Sequence, residues 1–288
     1  MNNYTVFVDS SCDMNMETIA EWGVKSIDLT FRFIDSPLEY KNYDMPTADF
    51  YRNLRDGRDA KTSAINSEAF KEAFEHELKA DRDLLYIAFS SGLSTTYNSA
   101  CLAARELEEE YPERKILVAD SLSASAGYGM LVYLTLKQIE SGATLEEAAA
   151  YAEERRLHIC HWFTVDDLNF LKRGGRVSAT AALVGTALGI KPVLHMDNEG
   201  HLISMFNVRG RKKSIKALVT KLGELAENIE EGPIFISHGD CIDDARELES
   251  QIKDAYGLDT EIIADVGPVI GSHSGPGTLA LFFVGKER

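Results

Sequence analysis

Three apolar runs in the first half of the 288-residue chain, YTVFVD (4–9), LLYIAF (84–89) and KILVAD (115–120), end in polar residues and lead into amphipathic stretches. Continuous apolar runs alternating with helical periodicity predict a parallel sheet covered by helices. A fourth strand is expected at VKSIDLTF (24–31). Helices are expected over 67–80, 95–110, 123–140 and 144–156. Beyond residue 157 the pattern changes. HICHWFTV (158–165) reads as a strand, RVSATAALVGTALGI (176–190) as a small-residue helix, and 191–210 as a hairpin turning at Asn198-Glu199-Gly200. Two further amphipathic helices (211–229 and 243–256) and two strands (GPIFISHGD and TLALFFVG) follow. The expected fold is α/β in two domains. Residues 1–157 would hold a mostly parallel sheet with helices on both faces, and 158–288 an α/β unit with a mixed sheet.

Open parallel sheets bind ligands beyond the carboxyl ends of their strands. Here those ends read Asp9-Ser10-Ser11, Ser90-Ser91-Gly92 and Asp120-Ser121, which predicts a hydroxyl-lined rim.

With 44% hydrophobic and 26% charged residues the chain is an ordinary globular protein rather than a disordered one. Its longest uncharged tract, 266–285, contains five Gly and two Pro and makes a poor membrane helix. The chain opens on a strand pattern without signal-peptide character, and its four cysteines form no CxxC pair. A cytoplasmic protein with reduced thiols is expected. The net charge of −16 argues against nucleic acid as a partner. Residues 170–221 nevertheless hold ten Lys or Arg against two acids, Asp197 and Glu199. That segment is either a solvated face or a docking surface for an anion or acidic partner.

Candidate chemistry is sparse. No GxSxG elbow or Walker A loop is present, and GPGTLA (275–280) has no βαβ unit after it. His158, Cys160 and His161 crowd together, but a strand turns neighbours to opposite faces, which favours packed side chains over metal ligands. No cofactor is expected. The stretch SSGLSTTYNSA (90–100) and Thr62-Ser63 place hydroxyls just before helices, where they serve either as caps or as a clamp for an anion.

The stretches VFVDSSCDM, KTS (61–63), SSGLSTTYNSA, VADSLSASAGYGMLV, the block FTVDDLNFLKRGGRVSATAALVGTALGIKPVLHMDNEGHL, VRGRKKSI, ISHGD and GPVIGSHSGPGTLALFFVG form a set. Together they resemble the DegV family, which includes the fatty-acid-binding subunits (FakB) of bacterial fatty acid kinase. The chain departs from the family at Ala64-Ile65 and at Thr95-Thr96-Tyr97-Asn98. The resemblance implies a long-chain fatty acid held between the two domains, with Thr62, Ser94 and His273 at its carboxylate and Ser63 assisting. It places Arg173 and Arg209 on the phosphoryl-transfer side. It also implies a separate ATP-dependent kinase that phosphorylates the bound acid, so that this chain is a substrate carrier and not a complete enzyme. The small-residue stretch 178–190 would line the tail. The rival readings are an autonomous serine hydrolase or acyltransferase, or a binder of another lipid or small anion.

Overall fold

A computed structural model describes residues 4–177 and 189–288. Most of the small-residue stretch expected to be helical therefore lies outside the described residues. The first sheet is fully parallel, in the order β2-β1-β6-β7, from β1 (Tyr4–Asp9), β2 (Lys25–Ile27), β6 (Asp83–Ala88) and β7 (Ile116–Asp120). From β1 the chain runs first to one side, then to the other, so the switch point lies between β1 and β6. Helices α1 (Met16–Glu21), α3 (Ser67–Leu78), α4 (Thr96–Glu110), α5 (Ser125–Glu140) and α6 (Leu145–Arg155) belong to this half. Local chemistry sets their starts: Asn15 and Asn66 accept amide hydrogens, and Thr144 with Glu147 forms a capping box.

The second sheet has six strands in the order β10-β9-β8-β13-β11-β12: β8 (Ile159–Thr164), β9 (Ile190–Met196), β10 (Leu202–Arg209), β11 (Ile234–His238), β12 (Ile262–Asp265) and β13 (Leu279–Val284). It is mixed, since only β11 and β12 pair in parallel. Helices α8 (Arg211–Leu225) and α9 (Ile242–Tyr256) accompany it, and the short α7 (Asn169–Arg173) and α10 (Pro268–Ser274) pack against each other.

One expectation fails. The run 24–31 is not a single strand: β2 joins the parallel sheet, while β3 (Thr30–Phe33) enters a separate antiparallel sheet with β4 (Tyr40–Lys41) and β5 (Ala60–Ser63). This third sheet packs Phe31 and Phe33 against Phe50, Tyr51 and Leu54, of which the last three lie on α2 (Thr47–Arg55). Strands of two to four residues are too short for their alternation to stand out in the sequence.

Helix α5 lies between the two larger sheets. One core cluster joins Val8, Leu85 and Ile87 of the first to Phe163, Phe235 and Phe282 of the second through Tyr128 and Leu131. The chain crosses from α6 to β8 over residues 156–158. Helix α10, from the second half of the sequence, packs against α2, β3 and β5 of the first. The halves are interlocked.

The hydroxyl-rich loop after β6 completes this interlock. Ser90 Oγ donates to the Gly200 carbonyl at the β9–β10 turn (2.9 Å), and Gly92 lies directly beneath that turn. A Cβ on Gly92 would sit 2.6 Å from the Glu199 carbonyl oxygen and 2.8 Å from that of Gly200. Because both are backbone atoms, Gly92→Ala should destabilise the fold by about 1–3 kcal/mol, read as a lower urea midpoint at unchanged slope.

Candidate functional site: a cleft between the sheets

Asp9 anchors the rim at the switch point. Its buried carboxylate accepts from the Ser11 amide (3.0 Å), the Ser11 hydroxyl, Tyr86 Oη (2.6 Å) and the Phe89 amide (3.0 Å). Burial raises its pKa, and these four donors lower it in part. Asp120 holds the next strand end by accepting from the Ser91 and Leu122 amides. These acids thus brace loops instead of facing a ligand.

Beyond them a cavity of about 400 Å³ opens between the two larger sheets, within the range of small-molecule sites. Its floor is the inner face of the six-stranded sheet, from Leu202 on β10 through Met196, Phe163 and Ala280 to Ser237 on β11. Four strand-to-strand steps give a floor roughly 19 Å long. Leu29, Phe89, Leu93, Val269, Ile270 and Phe282 make most of the remaining wall apolar.

Thr62, Ser94 and His273 all line this cavity. Thr62 Oγ1 and His273 Nε2 are 2.8 Å apart, and buried Nδ1 has no hydrogen-bond partner. In one tautomer Nε2–H donates to Thr62 and the threonine hydroxyl stays free to donate. In the other, Thr62 donates and Nδ1–H is the spare donor. Either way the pair offers one neutral donor. Ser94 Oγ accepts from the Thr96 amide (3.2 Å) and shares a hydrogen bond with Thr96 Oγ1 (2.8 Å), so it caps the start of α4 and also faces the cavity.

The other expected residues lie elsewhere. Ser63 is on the opposite face of β5 from Thr62, because side chains alternate along a strand; its hydroxyl donates to Glu39 (3.1 Å) and it is absent from the cavity wall. Arg173 is exposed, pairs with Asp59 (2.9 Å) and lies over the Phe170 ring. Arg209 is exposed at the end of β10, an edge strand. Neither arginine lines the cavity.

Arg176, which the sequence reading left inside the basic segment, does line it. Its Nε and Nη2 donate to the Leu93 carbonyl (3.2 and 3.1 Å) and Nη1 to that of Gly174. Carbonyls alone hold this half-buried guanidinium among the described residues, and burial lowers its pKa. It links the residue before Ser94 to the glycine against which His273 packs. The spacing of LKRGGR gave no sign of which arginine turns inward.

Burial, reinforced by the charge of Arg176, pushes the His273 pKa down to about 4, so the imidazole is neutral at physiological pH. The unfolded chain, with an ordinary value near 6.5, takes up this proton first. The associated stability is therefore fully present above pH 6.5 and is lost as pH falls toward 4. Across that window the ligand-free wild type should lose stability faster than His273→Gln in urea titrations, whereas parallel curves would refute the assignment.

No serine hydroxyl hydrogen-bonds a histidine ring among the described residues, and no group of three or more His, Cys, Asp or Glu is placed to hold a metal ion. The ring nitrogens Nδ1 of His158 and His161 meet backbone carbonyls. No helix among the described residues is long and apolar enough to cross a membrane.

A sequence model for the family described as "Uncharacterised protein, DegV family" matches residues 3–286. A DegV domain-containing protein of Clostridium perfringens is 40% identical over 290 residues, covering 100% of this chain and 99% of that one. Among solved structures, a DegV lipid binding protein from Thermotoga maritima superposes with a TM-score of 0.86 at 31% identity, covering 100% of both chains. A Thermus thermophilus DegV-family protein described by its fatty acid binding gives 0.86 at 29% identity, covering 98% of this chain and 99% of that one.

Proposed function

The chain belongs to the DegV family, and from that premise we propose that it is a cytoplasmic carrier of long-chain fatty acids that presents the bound carboxylate to a separate ATP-dependent kinase. One observation carries the binding half of this proposal: a long apolar cleft in which Thr62, Ser94, His273 and Arg176 gather. A tail burying roughly fourteen methylenes at about 0.8 kcal/mol each gains on the order of 11 kcal/mol before association costs. The polar cluster then sets orientation. A desolvated carboxylate is costly unless several donors meet it, and here three neutral side chains and one guanidinium are available. On this view the acid lies between the units 1–157 and 158–288.

The kinase half draws support from different features. The sequence carries no Walker A loop. Lys172, Arg173, Arg209, Lys212 and Lys213 are exposed in a segment rich in positive charge within an acidic protein. Such a segment suits steering toward a nucleotide or an acidic partner surface. An autonomous hydrolase finds no such support, because Ser94 bonds to Thr96 and not to a histidine.

Native mass spectrometry of the purified protein tests the carrier against the hydrolase. A co-purifying fatty-acid mass is expected; turnover of acyl esters by the lone chain, lost in Ser94→Ala, would replace the carrier with the hydrolase. For the kinase step, Arg173→Ala should leave fatty-acid affinity intact and slow acyl-phosphate formation by the partner kinase. Wild-type turnover in that variant would remove Arg173 from the mechanism.

A further inference from the structure

Resting on the fatty-acid reading, we propose that the cleft holds a second binding position, for a hydroxyl group carried part-way along the acyl chain. Ser125 forms it, in a wall otherwise built largely from Phe163, Phe282, Ala280 and Met196. Ser125 Oγ lies 2.5 Å from Asp13 Oδ2 and 3.0 Å from Ser237 Oγ. Asp13 is itself fixed by the Gly267 amide (3.0 Å). Ser125 also has φ of 54°, a left-handed backbone that favours glycine, so its hydroxyl is held where a relaxed serine would not place it.

Counting hydrogen-bond capacity identifies the ligand. A serine oxygen has one proton and two lone pairs. Whether the proton chain runs from Ser237 toward Asp13 or from Asp13 toward Ser237, Ser125 Oγ donates once and accepts once. One lone pair is left over in both cases. His161 Nδ1 meets the Ile159 carbonyl (2.9 Å), which places the ring proton there and leaves Nε2 as an acceptor. That Nε2 accepts from the Ala124 amide (3.4 Å), which uses its one lone pair, so His161 contributes shape and not a further acceptor. Burial keeps the ring neutral. Ser125 Oγ therefore presents a spare acceptor to the cleft, which suits a hydroxyl donor and disfavours a carbonyl or a second carboxylate.

Position follows from α10. His273 stands near one end of the helix and Gly267, which holds Asp13, at the other, six residues or about 9 Å away. The hydroxyl would thus lie along the chain, well removed from the acid. A plain alkyl chain at this point strips the Ser125 oxygen of water and returns nothing.

The test uses delipidated full-length protein, stearic acid, and a panel of hydroxystearic acids with the hydroxyl moved along the chain, measured by calorimetry. At least one mid-chain isomer should bind as tightly as stearic acid or more tightly. Ser125→Gly, which suits the left-handed backbone, should cut the hydroxystearate-to-stearate affinity ratio for that isomer roughly tenfold. If every isomer binds wild type more weakly than stearic acid, or the glycine variant keeps the ratio, the second position does not exist. Should the variant fail to fold, the wild-type panel decides alone. Absence of stearic acid binding would instead overturn the carrier function itself, and this inference with it.

Discussion

Gly174→Ala is expected to weaken fatty-acid binding about 10- to 100-fold, the cost of losing a hydrogen bond to a charged group, without unfolding the protein. Gly174 has φ of −69°, so its backbone accepts an alanine. The added methyl, however, would fall well inside contact distance of His273 Nδ1 and 3.2 Å from Cγ. The glycine cannot retreat easily, because its carbonyl is held by Arg176. The ring must therefore turn, which breaks the Thr62–His273 hydrogen bond and misplaces the spare donor. Calorimetric titration with palmitic acid, beside a thermal melt, separates the effects. A normal melt with much weaker binding is predicted; unchanged affinity would show that His273 does not hold the ligand.

Arg176→Met should collapse the preference for an acid over the matching fatty alcohol. Wild type is expected to favour the acid, since the guanidinium supplies the positive charge among the cluster's neutral donors. Methionine keeps much of the apolar stem and removes the charge, and a charge-assisted bond contributes about 1.5–3 kcal/mol. The acid-to-alcohol affinity ratio should drop at least tenfold. A purely structural role, bracing the Leu93 and Gly174 carbonyls, would weaken both ligands together and leave the ratio intact. Arg176→Lys, which keeps the charge but not the fork, should recover part of the preference.

Much of the architecture was legible because its signals are local. Long periodic segments such as 96–110 and 242–256 announce themselves as helices, and buried parallel strands as apolar runs. The small antiparallel sheet was hidden, since β4 has two residues and the strands depend on contacts with α2 formed only after folding. The site divides in the same manner. Thr62, Ser94 and His273 came from motif resemblance, and the structure gathers them at one cavity. Ser63 lies on the other face from Thr62 because KTS is a strand, where adjacent residues face apart. Arg176 and Ser125 were missed for a different reason. What sets them apart is their pairing, a guanidinium held by carbonyls alone among the described residues and a hydroxyl with a spare lone pair, and pairing is a property of three dimensions.

A crystal structure of delipidated protein soaked with palmitic acid would show whether a fatty acid occupies the cleft with its acid at the polar cluster. The carboxylate should appear within hydrogen-bonding distance of Thr62 and Ser94, with the alkyl chain laid across Phe163 and Phe282. Palmitate bound on the outer surface, or a cleft closed by side chains with no density for lipid, would contradict the account.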